Sequence, residues 1–346
     1  MRIRKSVTVI GTHAEGEVGN VLVDGIADVP GTTAFEKMEF FRDKQDSLRR
    51  ALLFEPRGSV CHAVNVLLPT SNPDADLAFV IMEATKYPAM SGSNTMCVAT
   101  VVLETGIREM REPETRLVLE APGGLVEARC VCRDGKVLSV TLSMLPSFVL
   151  QRDLAIEVPG LGAVRVDICY GGIFYAIVPA AVLGITLAAI SAREIVMAGI
   201  AIRDAVNQQF SAIHPENPKI RGVANVILTG PVTTNASFGI KETISATVIG
   251  NGRLDRSPCG TGVAARMALL LAEGAISQGA SMVHRSIFGT TFSAKIAGTQ
   301  QVGAYQAVVP EISGRAWITS QSQVYIDPGD PLAEGHCPSD VWLSAG

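Results

Sequence analysis

Short hydrophobic runs that end at Gly, Pro, Asn or Asp recur along the whole chain, a pattern that is typical of β-strands. The pattern predicts strands over residues 6–10, 64–68, 77–82, 117–120, 126–131, 137–142, 164–168, 174–178, 243–249, 307–309, 316–319 and 322–325. Between two of these runs, Asp134 and Gly135 predict a tight hairpin turn, because an Asp-Gly pair tolerates positive φ. We therefore expect a protein in which sheet dominates.

Helical periodicity is confined to a few segments. Residues 35–54 show a broken helical pattern with their charges on one side. Residues 191–194, Ser-Ala-Arg-Glu, have the spacing of a capping box and predict a helix that runs to about Phe210. Residues 91–106 and 259–274 turn from small polar residues into helices that are apolar on all sides. Helices of that kind are expected to be buried.

The two apolar helices belong to an internal repeat. Both segments are 16 residues long, have Gly second and last, and begin 168 residues apart, at Ser91 and Cys259. Residues 122–127 and 290–295, each a turn entering a strand, are separated by the same interval. Repetition at a fixed interval indicates related structural units, although chance similarity of two Gly-rich helix starts is the alternative.

The repeat predicts an α/β fold made of two related halves, each with a sheet wrapped around its central helix. We expect the first half to comprise residues 1–160 with 323–346 and to contain the Ser91 helix. The second half is then expected to comprise residues 161–322 and to contain the Cys259 helix.

Composition narrows the class of protein. With 47% hydrophobic and 18% charged residues, the 346-residue chain is typical of a soluble globular protein. The net charge of −4 and the lack of a basic run argue against a nucleic-acid partner. No apolar run reaches the roughly 20 residues of a membrane span, and no signal peptide is apparent, so we expect a cytoplasmic protein. Seven scattered cysteines argue against a disulfide framework, and five dispersed histidines argue against a zinc site.

The two helix starts suit the binding of a small anion. A helix N-terminus presents unpaired N–H groups and the positive end of its dipole, which favour a carboxylate. Two such starts that met across an interface would hold one carboxylate from two sides. A thiol has a reference pKa of about 8.5, which a helix N-terminus lowers, so Cys259 is a credible proton carrier. Serine is a poorer base, so Ser91 would serve mainly as a proton donor or relay.

Each of these residues also has an ordinary structural interpretation. Ser91 would serve as an N-cap, and Cys259 would be a small buried residue. Asp255, close before Cys259, would bind a cationic amine or would be a surface turn acid. The polar loop at residues 13–17 and Arg57 are open between a site and an ordinary loop.

Residues 255–262, Asp-Arg-Ser-Pro-Cys-Gly-Thr-Gly, together with Ser91-Gly92, resemble the proline racemase family. That family includes hydroxyproline 2-epimerases and trans-3-hydroxy-L-proline dehydratases. The likeness runs over nearly the whole chain, with supporting segments at residues 14–17, 55–58, 120–124, 170–172 and 313–317. It implies a diaminopimelate-epimerase-like fold of two pseudo-symmetric domains with the substrate between them, and catalysis without a cofactor.

The resemblance also implies roles for individual residues. Ser91 and Cys259 would stand on opposite faces of the substrate Cα, and Asp255 would hold the ring nitrogen. The backbone N–H groups that would hold the substrate carboxylate are those of Gly92, Ser93, Gly260 and Thr261.

The sequence departs from the racemase pattern in two places, since proline racemases have Cys where Ser91 stands and His where Ser93 stands. Dehydratase members usually pair one Cys with a hydroxyl residue. We therefore expect a trans-3-hydroxy-L-proline dehydratase that forms Δ1-pyrroline-2-carboxylate, with 3-hydroxyproline 2-epimerase activity as a companion.

Three alternatives remain open. The first is a 4-hydroxyproline 2-epimerase of the same family. The second is a non-catalytic amino-acid binding protein, and the third is a cysteine hydrolase, which would need a His base beside Cys259. In each enzyme of this family the expected partner is a small imino acid, and the sequence leaves open whether the chain forms a homodimer.

Overall fold

The computed structural model describes residues 5–237, 239–250 and 252–338. These residues divide into two compact units, one extending to Leu142 and resuming at Gly314, the other being Ser143–Ser313. The sequence-based bounds of 1–160 with 323–346 and 161–322 stay a prediction. The segment 147–158 lies in the second unit, where it forms an antiparallel pair with residues 162–170. Over the described ranges, no helix is both long and apolar enough to cross a membrane.

The described residues form the following elements. The strands are β1 Lys5–Ala14, β2 Glu17–Asp24, β3 His62–Leu68, β4 Leu77–Glu83, β5 Glu114–Ala121, β6 Gly124–Arg133, β7 Lys136–Ser143, β8 Ser147–Val158, β9 Gly162–Tyr170, β10 Phe174–Pro179, β11 Val223–Thr229, β12 Thr233–Thr234, β13 Lys241–Ile249, β14 Arg253–Leu254, β15 Ser281–Ser286, β16 Thr291–Val302, β17 Tyr305–Gly314 and β18 Ala316–Ile326. The α-helices are α1 Ala34–Lys44, α2 Asp46–Leu53, α3 Gly92–Glu104, α4 Ala192–Gln209 and α5 Gly260–Ala272.

The two units have the same sheet topology. In the first, the strands lie in the order β18, β1, β2, β3, β4, β5, β6, β7, and only the β2–β3 and β4–β5 pairs are parallel. In the second, the order is β8, β9, β10, β11, β13, β15, β16, β17, and only β10–β11 and β13–β15 are parallel. The second sheet also pairs β17 with β8. The matching order confirms the two related halves predicted from the repeat.

A buried helix lies at the same topological position in each unit. Helix α3, between β4 and β5, is buried from Gly92 to Leu103 and contacts β1, β2, β3, β6 and β18. Helix α5, between β13 and β15, is buried over nearly its whole length and contacts β8, β9, β10 and β16. Each fully buried Val, Leu or Met side chain contributes about 1.5–3 kcal/mol. The prediction of apolar helices enclosed by sheet is therefore confirmed.

Outer helices cover the opposite face of each sheet. In the first unit, α1 and α2 pack their apolar faces, including Met38, Phe41 and Leu52, against Val64 and Val66 of β3. In the second unit, α4 packs with one face of β9, β10 and β11. Each sheet is therefore buried on both faces, and the side-chain alternation of its strands decides which residues face the central helix.

That alternation is clear in β10. Phe174, Ala176 and Val178 belong to the core on the α4 side, whereas Tyr175 and Ile177 belong to the core on the α5 side. Successive side chains of a strand point to opposite faces, so Tyr175 necessarily faces α5.

Two local predictions have different outcomes. The hairpin between β6 and β7 is confirmed, with φ of 54° at Asp134 and 71° at Gly135. The helix after residue 191 is also confirmed, but its capping box is wrong. Ser191 has φ −88° and ψ 9° and ends the 3-10 helix Ala189–Ser191, which continues directly into α4. The side chain of Ser191 therefore makes no cap hydrogen bond.

Candidate active site

The first candidate group is Ser91, the N-cap residue of α3. Its backbone is extended, with φ −152° and ψ 123°, and its side chain makes no cap hydrogen bond. The first helical bond is donated by the N–H of Thr95 to the carbonyl of Ser91, over 3.0 Å. The N–H groups of Gly92 and Ser93 precede that bond, so they point out of the helix start as anion donors do.

The hydroxyl of Ser91 has polar neighbours instead of a capping role. Its Oγ accepts a hydrogen bond from Nδ2 of Asn94 over 2.9 Å and lies 3.4 Å from Oγ of Ser93. Asn94 is 2% exposed and Ser93 is 8% exposed. Asn94 was not among the predicted site residues, and its only signal is its place one helical turn after Ser91.

The second candidate group is Cys259, the N-cap residue of α5. Its backbone has φ 69° and ψ 98°, in a region that favours glycine, and its side chain makes no cap hydrogen bond. The first helical hydrogen bond is donated by the N–H of Val263 to the carbonyl of Cys259 over 2.7 Å. The N–H groups of Gly260 and Thr261 precede that bond and have no partner within the helix. Strained backbone of this kind is characteristic of functional positions.

The thiol of Cys259 is closely surrounded. The hydroxyl of Tyr175 lies 3.5 Å from Sγ and 2.7 Å from Oγ1 of Thr261. A Cβ at Gly262 would lie 3.0 Å from Sγ and 3.1 Å from Cδ1 of Ile227, so the absence of a side chain at Gly262 makes room for the sulfur. Sequence analysis missed Tyr175, although the strand predicted over 174–178 already contained it.

Asp255 is linked to Cys259 through Ser257. Its Oδ1 accepts hydrogen bonds from both N–H and Oγ of Ser257, each over 2.8 Å. The N–H of Cys259 in turn donates to Oγ of Ser257 over 3.0 Å. These bonds fix the loop before α5, and they hold the half-buried carboxylate of Asp255 near the thiol.

Burial, and to a smaller extent the negative charge of Asp255, raise the pKa of the Cys259 thiol to about 12. Hydrogen bonds from Tyr175 and from the N–H of Gly262 act in the opposite direction but are smaller. The expectation of a lowered thiol pKa at this helix start is therefore wrong, because desolvation outweighs the helix dipole. The raised pKa favours the protonated thiol at neutral pH.

Outside the helix starts, Arg57 and His13 of the polar loop each make specific contacts. Arg57 binds Oδ2 of Asp330 over 3.0 Å and the carbonyl of Ala333 over 2.7 Å, so it fastens the segment that follows β18. His13 stacks on Trp317 with ring centroids 5.1 Å apart, beside the β1–β2 hairpin. Among the predicted site residues, Ser91 lies beside Ser93. The hydroxyl of Tyr175 contacts both Cys259 and Thr261. Ser257 links Asp255 to Cys259 by hydrogen bonds.

Comparison with known proteins identifies the family of this chain. The family model described as Proline racemase matches residues 9–337. The 4-hydroxyproline 2-epimerase 1 of Rhizobium rhizogenes is 41% identical over 344 residues, which cover 99% of this chain and 98% of the relative. A crystal structure of a hydroxyproline epimerase from Agrobacterium vitis with bound trans-4-hydroxy-L-proline superposes with a TM-score of 0.87 at 40% identity, covering 99% and 98% of the two chains.

A more distant structure shares the fold alone. A phenazine biosynthesis protein from Bacillus anthracis superposes with a TM-score of 0.60 at 10% identity, covering 92% of this chain and 99% of that one. The two matching units, with a buried helix start in each, give this chain the fold of the solved hydroxyproline epimerase. The chain belongs to the proline racemase family.

The expectation of a trans-3-hydroxy-L-proline dehydratase is wrong, because the relatives at about 40% identity are epimerases of 4-hydroxyproline and hydroxyproline. That expectation took the replacement of a thiol by Ser91 as a sign of dehydration. The hydroxyl of Ser91 accepts a hydrogen bond from Asn94, which leaves its own hydrogen free of that amide.

Proposed function

We propose that the protein is a 4-hydroxyproline 2-epimerase, which interconverts trans-4-hydroxy-L-proline and cis-4-hydroxy-D-proline. One side chain removes the α-proton, and a second side chain delivers its own proton to the opposite face of Cα. The observation that carries the proposal is the 41% identity, over 99% of the chain, to relatives of that name. The thiol and the hydroxyl at topologically equivalent helix starts support it.

In this proposal, Cys259 and Ser91 are the two groups that exchange the α-proton. Removing that proton leaves a carbanion next to a carboxylate, which is unfavourable unless the negative charge is offset. Backbone N–H donors at a helix start provide such an offset where the charge develops. We assign that role to four residues: Gly92, Ser93, Gly260 and Thr261.

Asp255 is the proposed partner of the cationic ring nitrogen. Its negative charge is one cause of the raised pKa of Cys259. A bound ring ammonium would offset that charge and lower the thiol pKa, because a nearby cation favours the thiolate. Substrate binding would therefore create the base that it needs, while the thiol stays protonated and unreactive between turnovers.

Ser91 is the second proton carrier in this proposal. A hydroxyl that accepts the Asn94 amide donates more readily, since the alkoxide that remains keeps that hydrogen bond. The pairing of a thiol with a supported hydroxyl is therefore sufficient for reversible proton exchange at Cα.

Incubation with each isomer of proline and hydroxyproline in D2O, followed by NMR, tests the proposal. We expect trans-4-hydroxy-L-proline to yield its C2 epimer with deuterium at Cα. Formation of Δ1-pyrroline-2-carboxylate from 3-hydroxyproline as the dominant reaction would contradict it. Binding of the imino acid without deuterium at Cα would show the non-catalytic alternative.

A further inference from the structure

We propose that Asn94 is a positioning residue that sets the direction of the Ser91 hydroxyl, and that a buried chain of amides from Gly19 through Asn65 fixes the orientation of Asn94. The inference rests on the proposed function, since it assigns to Ser91 a proton to deliver. It concerns only the first unit.

The chain of hydrogen bonds is short, and both of its asparagines are buried. Asn65, in β3, is 0% exposed, and Asn94 is 2% exposed. Nδ2 of Asn65 donates to the carbonyl of Gly19 over 3.2 Å and to Oδ1 of Asn94 over 2.9 Å. Nδ2 of Asn94 then donates to Oγ of Ser91 over 2.9 Å.

The direction of this chain follows from its first member. A backbone carbonyl only accepts, and the carbonyl of Gly19 already receives the hydroxyl of Thr12 over 2.6 Å. The amide nitrogen of Asn65 must therefore face Gly19, since an amide oxygen there would oppose another oxygen. The second hydrogen of that nitrogen goes to the oxygen of Asn94, which turns the NH2 group of Asn94 toward Ser91. The amide nitrogen of Asn65 also donates to the carbonyl of Asn20 over 3.3 Å, so a reversed Asn65 amide would place its oxygen against two carbonyl oxygens.

The backbone is shaped to bring these groups together. A Cβ at Gly19 would lie 2.7 Å from Oδ1 of Asn94 and 3.0 Å from Sγ of Cys97, so only glycine allows this approach of β2 to α3. In the second unit the residue equivalent to Asn94 is Gly262, which has no side chain to donate. The amide chain is thus a feature of the Ser91 helix start and is not a general feature of the fold.

The consequence is chemical. Because Ser91 Oγ accepts from Asn94, the hydroxyl hydrogen is not used by that amide and is available to a reacting carbon. If the side chain of Asn94 accepted a hydrogen bond from Ser91 instead, the hydroxyl hydrogen would be bound to that amide. Asn94 therefore determines where the hydroxyl hydrogen of Ser91 points, and so whether Ser91 acts as a proton donor.

The variant Asn94→Asp tests this assignment, since it keeps the shape of the side chain but replaces the donating NH2 group by an acceptor. Asn65 would still donate to the introduced carboxylate, and circular dichroism checks that the fold is retained. We expect C2 epimerisation to fall by about 10²-fold or more, the usual contribution of a positioned acid or base. The incorporation of deuterium from D2O into one of the two epimers, the one whose α-proton Cys259 removes, is expected to continue near the wild-type rate.

Asn94→Leu, which neither donates nor accepts, provides a second variant and should show the same split between lost epimerisation and retained deuterium incorporation. Asn207→Asp is the matched control, because Asn207 bonds both ways to the backbone of Val223 in the second unit. Equal loss of deuterium incorporation and epimerisation in both Asn94 variants would overturn the assignment, as would wild-type epimerisation in either.

The hydrogen-bond direction can also be measured independently of activity. In side-chain amide 1H–15N NMR, Ser91→Ala should shift the Asn94 NH2 resonance and leave that of Asn207 unchanged. An unmoved Asn94 resonance would overturn the amide chain, whatever the enzyme catalyses. A moved resonance in a protein without epimerase activity would instead refute the proposed function and retain the hydrogen-bond direction.

Discussion

The two helix starts share their main-chain design and differ in their side-chain chemistry. Both Ser91 and Cys259 precede a buried helix at the same place in the same topology, and neither caps it. Ser91 has relaxed, extended backbone, whereas Cys259 has φ 69°. The hydroxyl is supported by a side-chain amide, and the thiol by a phenol and a backbone N–H.

This difference shows that one repeated fold can position two chemically different proton carriers. The exposed N–H groups depend only on the helix start, so both units retain them. The support of each reactive atom depends on the third residue of the helix, Asn94 in one unit and Gly262 in the other. The comparison predicts that substitutions at the two starts have different consequences, which the following experiments address.

The largest effect is expected for Cys259→Ser. A hydroxyl in the place of a thiol that is already desolvated would be a far weaker base, so C2 epimerisation should fall by about 10³-fold. Polarimetry of 4-hydroxyproline measures the change. Cys337→Ser, at a half-buried cysteine in the segment after β18, should keep wild-type activity. A Cys259→Ser protein with activity close to that of the control would refute the role of the thiol.

Ser91→Ala is expected to reduce epimerisation by about 10²-fold, since it removes one proton carrier but leaves both helix starts in place. Ser91→Cys should recover much of this loss, because a thiol also donates a proton. Chiral chromatography of both epimers measures the rates. The account is wrong if Ser91→Ala epimerises normally, or if Ser91→Cys is no better than Ser91→Ala.

Gly262→Ala is expected to have an intermediate effect. The added methyl group would lie 3.0 Å from Sγ of Cys259, so the sulfur must move, at about 1–3 kcal/mol of stability. We expect kcat to fall by about tenfold, as a misplaced reacting group requires. Thermal denaturation and steady-state kinetics measure both changes. Gly298→Ala, where a Cβ meets open space, is the control, and equal behaviour of the two variants would contradict the prediction.

The smallest effect is expected for Tyr175→Phe, with its signature in the pH dependence. The raised pKa of Cys259, about 12, means that its alkylation by iodoacetamide should keep rising from pH 7 to pH 10, without levelling near the ordinary thiol value. The Tyr175 hydrogen bond lowers that pKa, so Tyr175→Phe should slow alkylation by less than about tenfold at each pH. Mass spectrometry of the Cys259 peptide measures this rate. A plateau below pH 9 in the wild-type protein would contradict the raised pKa.

Much of this comparison is encoded locally in the sequence. The two apolar helices, their Gly-second starts and their fixed interval were sufficient to predict two related units and to single out Ser91 and Cys259. The Asp-Gly hairpin was predictable for the same reason, because backbone conformation there depends on two adjacent residues.

The remainder depends on tertiary packing. The contact of Asn65 with Asn94 arises from the placement of β3 against α3, which no local pattern specifies. Strands β2, β8, β11 and β15 were missed, and in β8 register shifts near Gln151 interrupt the alternation. The capping box failed because a 3-10 helix runs into α4, and the dehydratase assignment failed because it gave too much weight to one residue, Ser91.

The most direct test is the distribution of deuterium during the first turnovers of trans-4-hydroxy-L-proline in D2O. If separate side chains remove and return the hydrogen, the newly formed epimer carries deuterium at Cα from the first turnover, whereas deuterium enters the remaining substrate more slowly. An epimer that retains the original protium would mean that a single group performs both transfers, and the paired roles of Ser91 and Cys259 would have to be abandoned.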